Sequence, residues 1–212
     1  MSRGKNKKPP EVNSGSMADI AFLLLIFFLV TTTIANDKGL LLRLPPPPDP
    51  NQEQLDIKIP DRAIFTILAN SKDQLLVEGE PFDGTMDELK DEVKKFILNF
   101  GNPTTEGVRI YNTLPSKMKA FVTANGRNPE SSDDPTNLKA IVSFKSARGT
   151  SYDLYIGALD AMNAAYNEIY AERVGITAEE WLTLDRDSDL QRDLYERGRD
   201  GIPRAISIAE PD

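Results

Sequence analysis

The stretch Asp19-Ile20-Ala21-Phe22-Leu23-Leu24-Leu25-Ile26-Phe27-Phe28-Leu29-Val30 decides the architecture of this 212-residue chain. It opens with a carboxylate and continues with the longest apolar run in the sequence. From Met17 to Ala35 the only charged residue is Asp19, and a helix of that length rises about 28 Å, close to the roughly 30 Å hydrocarbon core of a bilayer. The run therefore predicts a single transmembrane helix over residues 16–36.

The charge distribution on the two sides of this run predicts its orientation. Residues 1–15 form a basic tail, whereas Asn36, Asp37 and Lys38 follow the run. Because basic loops stay in the cytoplasm, we expect a cytoplasmic N-terminus and, in a bacterium with two membranes, an inner-membrane protein with a periplasmic domain. The net charge is −8 despite the basic tail, which disfavours nucleic acid as a partner.

A secretory signal peptide is the main alternative for the N-terminal region. It would consist of the basic tail, the apolar run and a cleavage site of small residues at Thr33-Ile34-Ala35. The absence of a helix-breaking residue between Phe27 and Ile34 argues against cleavage there. N-terminal sequencing of the mature protein distinguishes the two.

Asp19 has two interpretations that depend on where its helix begins. If the helix begins at Ser16, the side chains of Ser16 and Asp19 have the spacing of a capping box. Asp19 then only satisfies free N–H groups at the start of the helix. If it begins earlier, near Asn13, a partner that surrounds the helix would desolvate the carboxylate and favour its protonated form. Asp19 would then be a proton-carrying residue.

Two segments are candidates for contact with a partner. The first is the face of the predicted membrane helix that carries Asp19, to which we assign Asn13, Met17, Phe22, Leu23, Ile26, Val30 and Thr33. The second lies in a proline-rich linker, residues 37–60, and consists of Leu40, Leu41, Leu42, Leu44 and Pro45. An extended apolar segment of this kind can pair with another chain by strand addition, or can simply anchor at the membrane surface.

The remaining residues, 61–212, predict a small two-layer α+β domain. Strands are expected at residues 63–68 and 75–78, paired as a hairpin, and at residues 140–144 and 203–209. Helices are expected from a capping box at Thr85 to a stop at Gly101 and from Tyr152 to a stop at Gly175, and a cap at Thr177 predicts a further short helix. Residues 102–137 have many turn formers and predict an irregular insertion, and residues 174–201 predict additional helices. This order of elements places helices on one face of a sheet.

Composition excludes several classes of protein. The chain has no cysteine and no histidine, which removes disulfides, thiol nucleophiles and the usual zinc sites. The acidic pairs Asp133-Asp134 and Glu179-Glu180 lie in loop or helix-start contexts, where we expect solvated charges. We therefore expect neither an enzyme nor a cofactor or metal site.

The segment Asn13-Ser14-Gly15-Ser16-Met17-Ala18-Asp19-Ile20 resembles the conserved start of the membrane helix in the ExbD/TolR family of biopolymer transport proteins, and is closer to ExbD of the TonB energising system. That family has the form N-x-x-P-M-x-D-x before an apolar run, and Asn13, Met17 and Asp19 match it. Ser16 replaces the proline. The segment from Gly39 to Pro45 is also similar to a family segment that ends in Leu-Pro.

The resemblance implies a subunit of a motor driven by the proton motive force. Its single helix would lie, as a homodimer in membrane lipid, inside a ring of an ExbB-like multi-span protein, and Asp19 would accept the proton of a proton channel. A small periplasmic sheet backed by two helices would pass motion to a TonB-like protein. A TolR-like role in envelope maintenance and a non-motor exported binding module remain the alternatives.

Overall fold

The computed structural model describes residues 14–31, 59–136 and 140–209. The chain divides into two compact units, Met1–Gln54 and Leu55–Asp212. In the first unit the described element is helix α1, Ser14–Thr31. Across the described ranges, no helix meets both the length and the hydropathy that a membrane crossing requires.

A five-stranded mixed sheet organises the second unit. A short 3₁₀ helix, Asp61–Ala63, leads into the first strand. The strands are β1 Ile64–Ala69, β2 Leu75–Val77, β3 Glu80–Phe82, β4 Ile141–Ser146 and β5 Ile206–Ala209. Their order is β3-β2-β1-β4-β5, with β1, β2 and β3 antiparallel and with β4 parallel to both β1 and β5.

The predicted hairpin is confirmed as the pair β1 and β2, in which Ile67 lies opposite Val77. Strand β3 was not predicted, because its central residue is Pro81, which cannot donate to a neighbouring strand. The proline is accommodated because β3 lies at the edge of the sheet.

One face of the sheet is covered by two helices, α2 (Met86–Ile97) and α5 (Tyr152–Val174). Phe65 of β1 contacts Phe96 of α2 with ring centroids 5.2 Å apart, and Phe144 of β4 contacts Tyr155 of α5 at 5.5 Å. Residues 65, 67 and 69 of β1 and 142, 144 and 146 of β4 are buried in alternation and lie on this face. The predicted mixed α/β arrangement is confirmed.

The ends of α2 and α5 follow local sequence signals. Thr85 and Glu88 form the predicted capping box at the start of α2, and Gly175 ends α5 in the left-handed conformation with φ 78°. The predicted extension of α2 to Gly101 is wrong, since the helix ends at Ile97. Beyond the end of α2, Oδ1 of Asn99 accepts a hydrogen bond from the backbone N–H of Asn128. This bond joins the end of the helix to a loop 29 residues further along the chain.

The expectation that residues 102–137 are irregular is wrong for half of their length. They contain α3, Thr105–Thr113, and α4, Ser116–Ala124. Pro115 separates the two helices. A buried apolar side chain recurs at every fourth residue through this segment, and the proline obscures the repeat in the sequence. The four residues are Ile110, Leu114, Met118 and Val122. These short helices are stabilised chiefly by burial of this stripe.

The predicted helices near the C-terminus are confirmed as α6, Ala178–Leu182, and α7, Asp189–Arg199. Thr177 and Glu180 form a capping box at the start of α6. The buried ring of Trp181 stacks on Tyr195 of α7 at 5.1 Å between centroids. This contact joins the two helices, and Trp181 also packs on Tyr170 of α5.

Candidate functional site

Asp19 is the sixth residue of the described helix α1, which begins at Ser14. No acidic residue lies in the first turn. A capping box would need Ser16 as a non-helical N-cap residue, but Ser16 lies within α1. The interpretation of Asp19 as a capping residue therefore does not fit this helix, and the side chain of Asp19 is exposed.

The apolar side chains around Asp19 are exposed on all sides of α1. Those with described side chains from Met17 to Phe28 are 42–61% exposed, and Phe22, Leu23 and Ile26 of the predicted partner face are among them. A helix that is apolar around its whole circumference has no face suited to water.

Several predicted site residues lie outside the described residues. These are Asn13, Thr33, Leu40, Leu41, Leu42, Leu44 and Pro45. Val30 lies within α1. The roles that we assign to all of these residues, and to Asp19 as a proton carrier, stay predictions.

A second group of charged side chains connects α2, α4 and α5. The Nζ atom of Lys94 lies 2.6 Å from Oε1 of Glu168 and 3.0 Å from Oε2 of Glu172. Lys90 lies 3.3 Å from Glu168, and Lys117 of α4 lies 3.3 Å from Glu172. We call these five side chains the α2–α5 ion network. Only 4% of Lys94 is exposed, so its ammonium group depends on the two carboxylates for compensation.

The ion network shifts two of its pKa values. For the Glu168 carboxyl, burial acts to raise the pKa, but the hydrogen bond and charge of Lys94, followed by those of Lys90, lower it below the ordinary value. For Lys90, burial acts to lower the pKa, but Glu168 and its acidic neighbours raise it. Both shifts favour the charged forms of these two side chains.

The region where the chain enters β1 has its own buried carboxylates. Arg62 of the 3₁₀ helix lies 3.0 Å from Oδ1 of Asp133, whose side chain is 7% exposed. The next residue, Asp134, is fully buried and accepts hydrogen bonds from the backbone N–H groups of Thr104 and Thr136. The expectation that Asp133-Asp134 is a solvated pair is therefore wrong, because each carboxylate has partners from a remote segment.

The ion network and the buried carboxylates differ in how much of their arrangement can be recognised in the sequence. The spacing of Lys90 with Lys94 and of Glu168 with Glu172, one helical turn in each case, is visible in the sequence and is compatible with paired helices. That Lys94 is buried is not visible, because α2 carries several lysines of similar spacing. Arg62, which pairs with Asp133, and Thr104, one of the two residues that donate to Asp134, are thirty or more residues away, and no local pattern identifies them.

A comparison with protein-family models gave a match to the family described as Biopolymer transport protein ExbD/TolR over residues 5–173. The match includes α1 with Asp19, the strands β1 to β4 and nearly all of α5. It ends before α6, α7 and β5. Comparisons with curated proteins and with solved structures gave no match.

Proposed function

Because this chain belongs to the ExbD/TolR family of biopolymer transport proteins, we propose that it is the energy-transducing subunit of an inner-membrane motor of the ExbB–ExbD type. In this proposal the proton motive force drives the motor, and a TonB-like protein passes its work to uptake across the outer membrane. Family members are transport proteins and not enzymes. The family match together with the position of Asp19 in the second turn of α1 carries the proposal.

The proton-carrying role of Asp19 rests on its surroundings in the sequence and in α1. The carboxylate is followed by apolar side chains only, so an ExbB-like ring that encloses α1 would desolvate it. Burial of a carboxylate favours its protonated form. Protonation then removes the charge that opposes entry of this part of the helix into an apolar environment.

The energy released when a proton crosses the membrane potential and the cost of placing an aspartate in a membrane helix are of similar size. One elementary charge that crosses a potential of 100 mV releases about 2.3 kcal/mol. An aspartate at the centre of a membrane helix costs about 2.5–3.5 kcal/mol on insertion scales. The protonation state of Asp19 can therefore decide which orientation of α1 within the ring has the lower free energy. Sequential protonation around the ring would rotate or rock the helix.

The motion of α1 would reach the second unit through the proline-rich linker, residues 37–60, whose prolines favour an extended spacer. The first described contact after the linker is the ion pair of Arg62 with Asp133. Beyond it, the α2–α5 ion network and the packing of both helices on the sheet favour transmission of force through the unit as one body. The partner at the far end would be a TonB-like protein.

The proposal is tested by Asp19→Asn in a strain that lacks the chromosomal gene. This variant keeps the side-chain size but cannot exchange a proton, so we expect normal membrane insertion and normal co-purification with the ExbB-like partner, with loss of TonB-dependent uptake. The matched control is Asp87→Asn, which alters an exposed carboxylate of α2 (93% exposed side chain) and should preserve uptake. Normal uptake with Asp19→Asn would contradict the proton-carrying role.

Two further readouts separate the alternatives. Loss of siderophore uptake on deletion of the gene supports the ExbD role, whereas a leaky envelope with normal siderophore uptake supports a TolR-like role. A mature chain that begins near Asn36 would identify a cleaved signal peptide. It would remove Asp19 from the working protein and overturn the motor proposal.

A further inference from the structure

A recess of about 150 Å³ lies between α5, α6, α7 and the segment that leads to β5. Its lining includes the apolar side chains of Trp181, Leu182 and Leu184 and the polar side chains of Asn167, Arg186 and Arg204. Most of these residues follow residue 173, where the family match ends. The recess therefore belongs to a part of this chain that the family model does not cover.

The charge of the recess is opposite to that of the chain. Two arginines line it, and no described lining residue is acidic, although the net charge of the chain is −8. Within the described residues, neither Arg186 nor Arg204 forms an ion pair with a carboxylate. Arg204 donates to the side-chain oxygens of Asn163 and Asn167, which satisfies two of its five N–H donors.

The side chains of the recess are held in place by their neighbours. The guanidinium of Arg186 lies 4.4 Å from the centroid of the Tyr195 ring, and that ring stacks on Trp181 with an interplanar angle of 13°. The loop that carries Arg186 is fixed on both sides of this residue. The backbone N–H of Asp185 donates to Oε1 of Gln191, and that of Asp187 donates to Oδ1 of Asp185.

We propose that this recess binds a carboxylate on a short aliphatic stem. A guanidinium presents N–H donors in a planar fork that matches a carboxylate, and two guanidiniums that line the same recess without a carboxylate partner favour an anion there. The apolar side chains of Trp181, Leu182 and Leu184 suit the methylene groups that carry the carboxylate. The volume of the recess is about that of five water molecules at roughly 30 Å³ each, which fits a glutamate side chain or a small dicarboxylic acid.

The carboxylate has two sources that share this chemistry, a free dicarboxylic acid and a glutamate side chain of a peptide. Both are compatible with the recess because it is open to solvent on the side of Leu182, which is 68% exposed. The inference does not depend on the motor function, since none of the residues that it uses takes part in proton transfer.

The test uses the fluorescence of Trp181, which is the only tryptophan of the chain and lines the recess. The full-length protein in detergent is titrated at constant ionic strength with glutarate, with inorganic phosphate and with the peptide Gly-Gly-Glu-Gly-Gly, acetylated at its N-terminus and amidated at its C-terminus so that the glutamate side chain is its only carboxylate. The matched control peptide has Gln in place of Glu. We expect a saturable change with glutarate or with the Glu peptide, and none with the Gln peptide.

The variants Arg186→Gln and Arg204→Gln should each weaken binding by about tenfold or more, since a charge-assisted hydrogen bond contributes roughly 1.5–3 kcal/mol. The matched control is Arg192→Gln, which removes an exposed arginine of α7 that pairs with Asp189 and lies outside the recess. It should leave the affinity unchanged. If Arg204→Gln lowers the melting temperature, the affinity of Arg186→Gln is the measurement that tests the proposal. The cation–π contact described for Arg186 is with the Tyr195 ring.

Each outcome of the titrations has a defined meaning. Tighter binding of the Glu peptide supports a polypeptide source, and binding of glutarate alone supports a free dicarboxylic acid. The proposal is overturned by the absence of a saturable response to both carboxylates, by a response to phosphate alone, or by equal affinities in Arg186→Gln and Arg192→Gln.

Discussion

The ammonium nitrogen of Lys94 lies 2.6 Å from Oε1 of Glu168, and this contact joins the last turn of α2 to α5. Lys94 is also 5.2 Å from the centroid of the Phe121 ring, so its cation contacts α4 as well. Three helices thus share one buried charge. In a protein that we propose to transmit mechanical work, such a contact resists relative sliding of the helices.

Replacement of Lys94 by Met should lower the free energy of unfolding by about 2 kcal/mol. Met retains much of the side-chain volume but removes the cation that Glu168 and Glu172 share. Urea unfolding of the full-length protein in detergent, followed by tryptophan fluorescence, measures the change. Lys95→Met is the matched control, since Lys95 pairs with Glu92 at an exposed position, and we expect it to change stability by less than about 0.5 kcal/mol. Equal losses in the two variants would contradict a special role for Lys94.

The stability of the second unit should depend on the protonation of Glu168 at acid pH. The pKa of this carboxyl is lower in the folded protein than its ordinary value of 4.5. The contribution of the Glu168 carboxylate to the free energy of unfolding is therefore fully present above the ordinary pKa. It is lost as the pH falls through the lowered pKa of the folded state. The difference in unfolding free energy between the wild type and Glu168→Gln should be constant above pH 4.5 and should shrink below it.

The same measurement in a Lys94→Met background provides the control for this prediction. Lys94 is the main source of the lowered pKa of Glu168, so its removal should weaken the pH dependence. An unchanged pH dependence would show that another group controls Glu168.

Replacement of Asp134 by Asn should destabilise the fold by about 2 kcal/mol. One carboxylate oxygen accepts from the backbone N–H of Thr104 at 2.7 Å and the other from that of Thr136 at 2.8 Å. An amide NH₂ group cannot accept, so one buried N–H loses its partner. Thr104→Ser keeps both the hydroxyl and the backbone donor, and it should cost less than half as much in the same urea titration. A larger effect of Thr104→Ser would point to packing of the methyl group as the important contact.

Replacement of Gly175 by Ala should cost about 1 kcal/mol, because an added Cβ disfavours the left-handed backbone that ends α5. The space around this position is open, with no atom within 4 Å of an added Cβ, so the effect comes from the backbone alone. Gly175→Asn is the matched variant and should cost less, since Asn tolerates this conformation better than Ala. Thermal unfolding compares the three proteins. Equal stability of Ala and Asn variants would contradict the argument.

The features that the sequence predicts correctly are those with local causes. The capping boxes at Thr85 and Thr177 and the stop at Gly175 each involve residues within one turn of the helix end. The apolar run of α1 is equally evident. The sequence does not indicate α3 and α4 clearly, although Ile110, Leu114, Met118 and Val122 recur every four residues, because Pro115 and many turn-forming residues interrupt this period.

The candidate sites were predicted less completely than the fold. Asp19 is prominent because a carboxylate beside an apolar run is unusual in any sequence. The ion network, the buried pair Asp133-Asp134 and the recess at Arg186 and Arg204 consist of charged residues that look like ordinary surface positions. Their significance depends on burial and on partners that are distant in the chain.

The sequence by itself determined which segments form helices and strands with clear end signals, and that Asp19 lies at the start of an apolar run. Such properties depend on hydrogen bonds and periodicity among near neighbours. Only the tertiary structure decided that β4 lies parallel beside β1, that Lys94 pairs with two glutamates, and that Arg186 and Arg204 line the same recess. The reason is that these relationships depend on which remote apolar faces are buried together, and that choice is made by the packing of the whole unit.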